Sequence, residues 1–251
     1  MRWLRLSIIV VILALTSGCG SLSRIELAQD GIAGLHSIDV VMPPEPQGYV
    51  VFMENHPGAA VGGVIGGVIM AADQISKENR VKQALQGQNI SVSRTIADAL
   101  VQRLKATGYR VRLVEAPLDQ QVVSGVRVST IESDADALLV VAPRTIGFVT
   151  AGALVPYEPT VTAEVTLLAR DRTTVLYRGL HSAGRKPALG EWRNVSTGRT
   201  FENVDSLVAN PGATAAALTE AGTAVARAMA DDIRLNAAPP AAVAARRTGR
   251  G

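Results

Sequence analysis

The sequence predicts one domain of the α/β class, in its α+β form: a mixed sheet with helices packed on one face. Three observations support this prediction. Apolar residues recur with strand spacing and helix spacing in turn along the chain, one segment has the pattern of a β-hairpin, and the two ends differ in composition from the middle. The 251 residues suffice for one ordinary domain flanked by an N-terminal signal and a disordered C-terminal tail.

The charge of the chain argues against a nucleic-acid-binding protein. The sequence has 25 Lys and Arg against 22 Asp and Glu, but two arginines lie in the leader and three in the tail, which leaves 20 against 22 in the body. Binding to nucleic acid requires clustered cations that displace counterions, and the body lacks such an excess. The single cysteine excludes an intramolecular disulfide and a multi-thiolate zinc site, and we expect neither a metal nor a non-covalent cofactor.

Residues 1–18 are typical of an export signal. Arg2 and Arg5 precede the apolar run LSIIVVILAL, and small residues follow it. Ten apolar residues are too few to cross a hydrocarbon core of about 30 Å as a helix. The sequence therefore predicts a cleaved signal rather than a membrane-spanning helix.

The end of this signal, Leu15-Thr16-Ser17-Gly18-Cys19, resembles a bacterial lipoprotein signal. The resemblance implies diacylglyceryl transfer to Cys19, cleavage before it, and addition of an acyl chain such as palmitate to the new amino terminus. The alternative is an ordinary secretory signal followed by an unrelated cysteine. Gly20 stands where Asp would imply retention in the inner membrane, so the resemblance favours a lipid anchor in the outer membrane, facing the periplasm. Residues 19–37 would be the lipidated tether of a domain at 38–235.

The segment 58–72 has the spacing of a glycine zipper. Its uncharged core reads AAVGGVIGGVIMAA, and its glycines fall in two sets spaced by four residues: Gly58, Gly62 and Gly66, and Gly63 and Gly67. This spacing places each set on one helical face, where a second helix can approach closely. Three interpretations remain open: a close-packed helix that is buried or faces a partner, insertion into the membrane, and a glycine-rich loop. The segment lacks the lysine of a phosphate-binding loop.

Before residue 137, the pattern predicts strands at 38–42 and 49–53 and a helix that continues from the zipper through 73–86. An amphipathic helix follows from Ser91, with Gly108 at its end, and then a strand at 109–113 whose Arg110 and Arg112 would mark a solvated face.

After residue 137, we predict a buried strand at 137–142 that Pro143 ends, and a hairpin of 161–167 with 175–178. The segment 181–209 shows no periodicity and is interpreted as a loop. Asn210-Pro211 would open a final helix with an apolar stripe from Leu218 to Ile233, and residues 236–251 would be a disordered tail rich in Ala, Pro and Arg.

The order of elements in 91–235 resembles a superfamily of periplasmic lipoproteins. It contains the curli-secretion-channel lipoprotein, the activator lipoproteins of peptidoglycan synthases and the amino-terminal domain of the Tol-system propeller protein; glycine-zipper surface lipoproteins look similar. The resemblance rests on the helix before Gly108, the strand after it, the segment SDADALLV, the hairpin and the closing helix. A second resemblance is to the lipoprotein subunit of the lipopolysaccharide-assembly translocon. Neither carries functional residues over to this chain.

The motifs do not favour an enzyme. The sequence contains no G-x-S-x-G, no H-E-x-x-H and no reactive cysteine beyond Cys19. We expect a non-catalytic, membrane-anchored lipoprotein of the cell envelope that docks envelope proteins or copies of itself through its domain and its glycine zipper. The alternatives are an oligomeric secretion or transport pore component, and a lipoprotein that handles lipid or lipopolysaccharide.

Overall fold

The structure, a computed structural model, describes residues 35–46, 48–57, 63–115, 121–122, 125–126, 128 and 131–237. The strands are β1 (Ser37–Val41), β2 (Val50–Asn55), β3 (Arg110–Val114), β4 (Gln121–Val122), β5 (Gly125–Val126), β6 (Ala137–Gly152), β7 (Glu158–Ala169), β8 (Val175–Ala183) and β9 (Trp192–Val195). The helices are α1 (Gly63–Leu85), α2 (Val92–Ala106), α3 (Val204–Ala209) and α4 (Pro211–Ala237). The predicted signal, the tether up to residue 34 and the tail from residue 238 lie outside the described residues.

Seven of these strands form one mixed sheet in the order β3-β1-β6-β7-β8-β9, with β2 added beside β6. The strands β1, β2 and β3 run parallel to their neighbours, whereas β6, β7 and β8 are antiparallel to one another and β9 is parallel to β8. The long strand β6 pairs with β1 through its first residues and with β2 through its last. The mixed α/β class predicted from the sequence is confirmed.

The helices and one face of the sheet enclose the main hydrophobic core. Alternate residues of β6 and β7 point into it, and α2 and α4 cover them with buried Ile96, Leu100 and Met229. We call the helix side the inner face and the opposite side the outer face. A smaller apolar cluster covers one end of the outer face, with Val41, Ile131, Leu138 and Leu168 buried in it.

Three predicted local signals are found where they were expected. The hairpin forms as β7 and β8, joined by a turn that contains Asp171. Helix α2 begins after Ser91, whose hydroxyl accepts a hydrogen bond from the Arg94 backbone at 3.0 Å, and Gly108 follows its end at φ +99°. Helix α4 starts at Pro211, and the apolar side chains of its stripe, Leu218, Val225, Met229 and Ile233, are buried.

Two predictions about local structure are wrong. Pro143 does not end its strand, because β6 continues to Gly152 through a register shift between Pro143 and Thr145. A bulge tolerates proline because the ladder hydrogen bond is already missing there. The segment 181–209 is not one loop: β8 extends to Ala183, and β9 and α3 follow. Strand β9 pairs with β8 through residues that are distant in sequence, so no local periodicity predicts this strand.

A buried carboxylate fixes the β1 and β3 side of the sheet. The Asp39 side chain is 3% exposed and accepts two hydrogen bonds from Arg112, at 3.0 Å and 2.7 Å, and Arg112 also reaches Asp134. Burial acts to raise the pKa of Asp39, but the hydrogen bonds from Arg112 and Ser133 outweigh it, so the pKa lies below its ordinary value of 3.8. The sequence predicted that Arg112 marks a solvated face, but in the structure it also pairs with a buried carboxylate.

We expect Arg112→Ala to lower the free energy of unfolding by about 2 kcal/mol at pH 7, because it leaves the Asp39 carboxylate buried without its cation. Since the folded-state pKa of Asp39 is lowered, the stability from this pair is present above pH 3.8 and is lost as the pH falls further. Urea unfolding at pH 7 and pH 3 measures both effects. The matched control is Arg110→Ala, on the same face of β3, with an expected change within about 0.5 kcal/mol. Equal losses in the two variants would contradict this account.

Candidate docking surface

The structure places the predicted zipper residues only in part. Gly63, Gly66 and Gly67 lie in the first turns of α1, which runs on without a break into the polar segment, as predicted. Cys19, Gly58 and Gly62 lie outside the described residues. The described part of the zipper is thus helical.

Helix α1 is packed at one end and exposed at the other. Near its C-terminus, Val81 and Leu85 are buried in the main core. Nearer its N-terminus, Val68, Ile69 and Ile75 are 62%, 47% and 57% exposed, and Ala71 and Ala72 are also exposed. Large apolar side chains exposed along one helix are typical of an interaction surface.

Gly66 and two of the exposed apolar side chains, Val68 and Ile75, occupy different sides of α1. Because a helix has 3.6 residues per turn, Val68 and Ile75, seven positions apart, share one side. Position 66 falls instead on the side shared by Asp73 and Lys77. These two side chains contact the rest of the domain. Position 66 is therefore in line with the contacts to the domain, and Val68 and Ile75 form an apolar stripe on the opposite side, while Ile69 lies between the two, nearer to Asp73.

Polar contacts hold the middle of α1 against the end of β2. The His56 ring lies 2.9 Å from the Asp73 carboxylate, which also pairs with Lys77 at 2.5 Å. Lys77 in turn hydrogen bonds to Tyr157, which is buried. Burial acts to raise the pKa of Asp73, but the hydrogen bonds from Lys77 and His56 outweigh it and the pKa is lowered. The carboxylate stays ionised at neutral pH and ties the helix to the sheet.

The turn between β6 and β7 adds apolar surface at the same end of the molecule. Leu154 and Val155 are 99% and 40% exposed there. Asn55, the last residue of β2, pairs with Gly152 and donates a side-chain hydrogen bond to the Ala151 carbonyl at 2.8 Å. Since β2 leads to the His56 contact with α1, the turn and the middle of α1 lie at one end of the sheet.

A buried polar cluster was missed by the sequence analysis. On β8, Tyr177 donates a hydrogen bond to the Asp232 carboxylate of α4 at 2.5 Å and lies 3.0 Å from His181. Arg193 of β9 pairs with Asp232 at 2.6 Å, while the Asp232 side chain is fully buried. A Cβ atom at Gly179 would lie 2.1 Å from the Tyr177 hydroxyl, so glycine leaves the space that this cluster needs. Tyr177, His181 and Asp232 are buried, and the cluster joins α4 to the sheet.

The described residues offer little for metal chemistry or for crossing a membrane. Within the part of the chain that the structure describes, no three His, Cys, Asp or Glu side chains are grouped so as to hold a metal ion. No helix among the described residues has the length and apolar character needed to span a membrane.

We expect Asp73→Asn to loosen α1, because it removes the charge that pairs with Lys77 and contacts His56. Hydrogen exchange of the α1 backbone amides should become about five-fold faster at neutral pH, the change expected from losing about 1 kcal/mol of local stability. Asp98→Asn is the control, since Asp98 pairs with Arg94 on the exposed side of α2. Unchanged exchange in α1 would show that these contacts do not anchor the helix.

Comparison with known proteins gives only structural likenesses. No family model matches the chain, and the search of curated proteins finds no match. Among solved structures, protein XCC0632 from Xanthomonas campestris, described as a DUF330 protein, is 11% identical with a TM-score of 0.42 over 86% of this chain and 94% of that one. A PelC dodecamer from Paraburkholderia phytofirmans is 12% identical with a TM-score of 0.34 over 84% of this chain and 93% of that one. Likenesses at these values carry no argument about function.

Proposed function

We propose that the protein is a non-catalytic lipoprotein of the bacterial envelope that assembles with further copies of itself through α1. In this proposal, lipid on Cys19 anchors the chain to the periplasmic face of the outer membrane, and the folded domain presents the docking surface. The observation that carries the proposal is the apolar stripe of α1, in which Val68 and Ile75 are largely exposed on a helix whose other end is buried in the core.

The exposed apolar side chains of α1 cost free energy in water. Apolar surface left in water forgoes about 25 cal/mol for each Å² that a partner could bury. The side chains at 68, 69 and 75 protrude on a helix that Asp73 and Lys77 hold in place, so the surface is already formed before a partner arrives. A preformed apolar surface binds with a smaller ordering cost than a segment that must fold first.

The lipid anchor would strengthen this assembly by confining the copies to one membrane. Two or more acyl chains give stable anchoring, whereas one chain gives marginal binding. Confinement raises the effective concentration of each copy near the next, so a weak helix contact suffices for assembly. The exposed turn with Leu154 and Val155 widens the surface at the same end of the sheet.

We expect Val68→Glu combined with Ile75→Glu to abolish self-assembly, because each copy would place two carboxylates in an apolar contact. The measurement is chemical crosslinking of tagged, full-length protein in intact cells, followed by isolation of the outer membrane and sizing of the products. The unmodified chain should give a ladder of its own multiples, and the double variant should not. Leu189→Glu is the control, because Leu189 is 87% exposed and lies between β8 and β9 rather than on α1.

One distinct partner of another size, in place of the ladder, would overturn self-assembly and identify the protein as a tethered adaptor. Rings in detergent together with leakage from liposomes would instead favour the pore alternative.

The glycines require their own test, since position 66 lies on another side of α1 from Val68 and Ile75. Gly62→Leu with Gly66→Leu should disturb whichever surface the glycines serve. Loss of the multiples at an unchanged free energy of unfolding assigns the glycines to the partner. A lower free energy of unfolding with the multiples retained assigns them to packing within the domain. If neither quantity changes, the zipper has no packing role.

The anchor is tested by Cys19→Ala, which removes the thiol that would accept the lipid. We expect radiolabelled palmitate to be incorporated into the unmodified protein and not into the variant, and the variant to be lost from the outer-membrane fraction. Retention of the variant in that fraction would contradict the lipid anchor and favour an ordinary secretory signal.

A further inference from the structure

Half of the outer sheet face carries a groove that the docking surface does not use. The smaller apolar cluster covers the end of the outer face near β1 and the start of β6. Beyond it, a concavity of about 610 Å³ opens over β2, the second half of β6 and β7, closed on one side by the loop after β8. This volume falls in the range of about 300–1,000 Å³ that is typical of small-molecule sites.

The lining of the groove changes in character from one side to the other. Val50, Phe52 and Val149 supply an apolar surface on β2 and the neighbouring part of β6. Thr145, Thr160 and Thr162 follow on β6 and β7, and Arg185 and Lys186 stand beyond them in the loop. Glu54 of β2 also lines the groove, and the Arg185 guanidinium lies 2.7 Å from it, so the loop after β8 reaches back to the end of β2.

A glycine keeps the floor of the groove low at its centre. Gly147 lies between Val50 and Thr160 in the register of the sheet, so its side-chain direction is the outer face. A Cβ atom at this position would lie 1.9 Å from the Val50 carbonyl oxygen. The close approach of β2 thus requires glycine here, and the same glycine leaves the apolar and hydroxyl parts of the groove continuous.

Two polar atoms that belong to groove residues have no hydrogen-bond partner among the described residues. The Thr162 hydroxyl is one, on a residue that is 2% exposed, and the Arg185 Nε atom is the other. The terminal nitrogens of Arg185 do have partners, since they lie 2.7 Å from Glu54 and 3.7 Å from Glu158. Buried polar atoms are nearly always paired in folded proteins, so unpaired ones at a groove point to a bound polar group.

Lys186 places a second cation at the edge of the groove. Its side chain is exposed, and none of the ion pairs formed among the described residues includes it, whereas the charge of Arg185 is balanced by Glu54 and Glu158. A ligand with an apolar chain and an anionic head would contact the apolar strands, the unpaired Arg185 Nε atom and Lys186. The apolar chain would lie over Val50, Phe52 and Val149, and the head would reach Lys186.

We propose that this groove binds a single-chain anionic amphiphile, with its acyl chain on β2 and its head group at Lys186. The inference is independent of self-assembly through α1, because the two surfaces share no residue. A bound peptide is an outcome of the test that would contradict this proposal.

The test uses a palmitate analogue with a photoreactive diazirine in its chain, applied to membranes that contain the full-length protein. After illumination, mass spectrometry of the peptides should find the label on β2 and the second half of β6, and excess palmitate should remove it. Lys186→Glu should reduce the labelling about ten-fold, the loss expected for one charge-assisted contact. Lys105→Glu, on the exposed side of α2, is the matched control and should label normally.

Two further measurements test the charge of the head group and the identity of the molecule beside Phe52. The corresponding uncharged alcohol should label the groove less than the acid does, because it lacks the charge for Lys186. A photoreactive phenylalanine analogue in place of Phe52 should form an adduct with the mass of a lipid in intact cells. Label confined to α1, label that palmitate does not remove, equal labelling of the Lys186→Glu variant, or an adduct between position 52 and a protein would each overturn it.

Discussion

The bulge in β6 is the constraint on which the rest of the sheet depends. Ala137, Leu139 and Val141 point to the inner face before it, and Ile146 and Phe148 do so after it. From Val141 to Ile146 is an odd number of steps, so a regular strand would turn one of the two sets to the outer face. The extra residue at the register shift restores the alternation. One strand can thereby pair with β1 at one end and β2 at the other while keeping a single apolar face.

This arrangement separates the two surfaces to which we assign binding. The inner face is filled by α2 and α4, so helix packing uses it completely. The smaller apolar cluster covers one end of the outer face, and the groove beside the loop after β8 occupies the other. Helix α1 extends from the β2 side, with its C-terminal turns in the core and its apolar stripe in solvent. A domain built in this way has room for a partner at one surface and an amphiphile at another without either blocking the other.

Both edges of the sheet neutralise a buried aspartate with an arginine. Arg112 on the edge strand β3 pairs with Asp39, and Arg193 on the edge strand β9 pairs with Asp232. In each pair the carboxylate is buried, whereas the arginine side chain stays partly exposed, by 59% for Arg112 and 42% for Arg193. Arginine suits this position because its planar head binds a carboxylate and stays partly hydrated. Charges along an edge strand also discourage unwanted strand pairing.

By itself, the sequence determined the elements whose signals are local. The hairpin of β7 and β8, the helix between Ser91 and Gly108, and the helix that opens at Pro211 each carry their pattern within a few residues. The tertiary structure decided the passage of β6 through Pro143, the pairing of β9 with β8, and the role of Arg112, because each depends on a partner at least twelve residues away in sequence. It also decided which side of α1 is exposed. Glycine spacing identifies a helical stripe, but only the contacts of Asp73 and Lys77 orient that stripe relative to the domain.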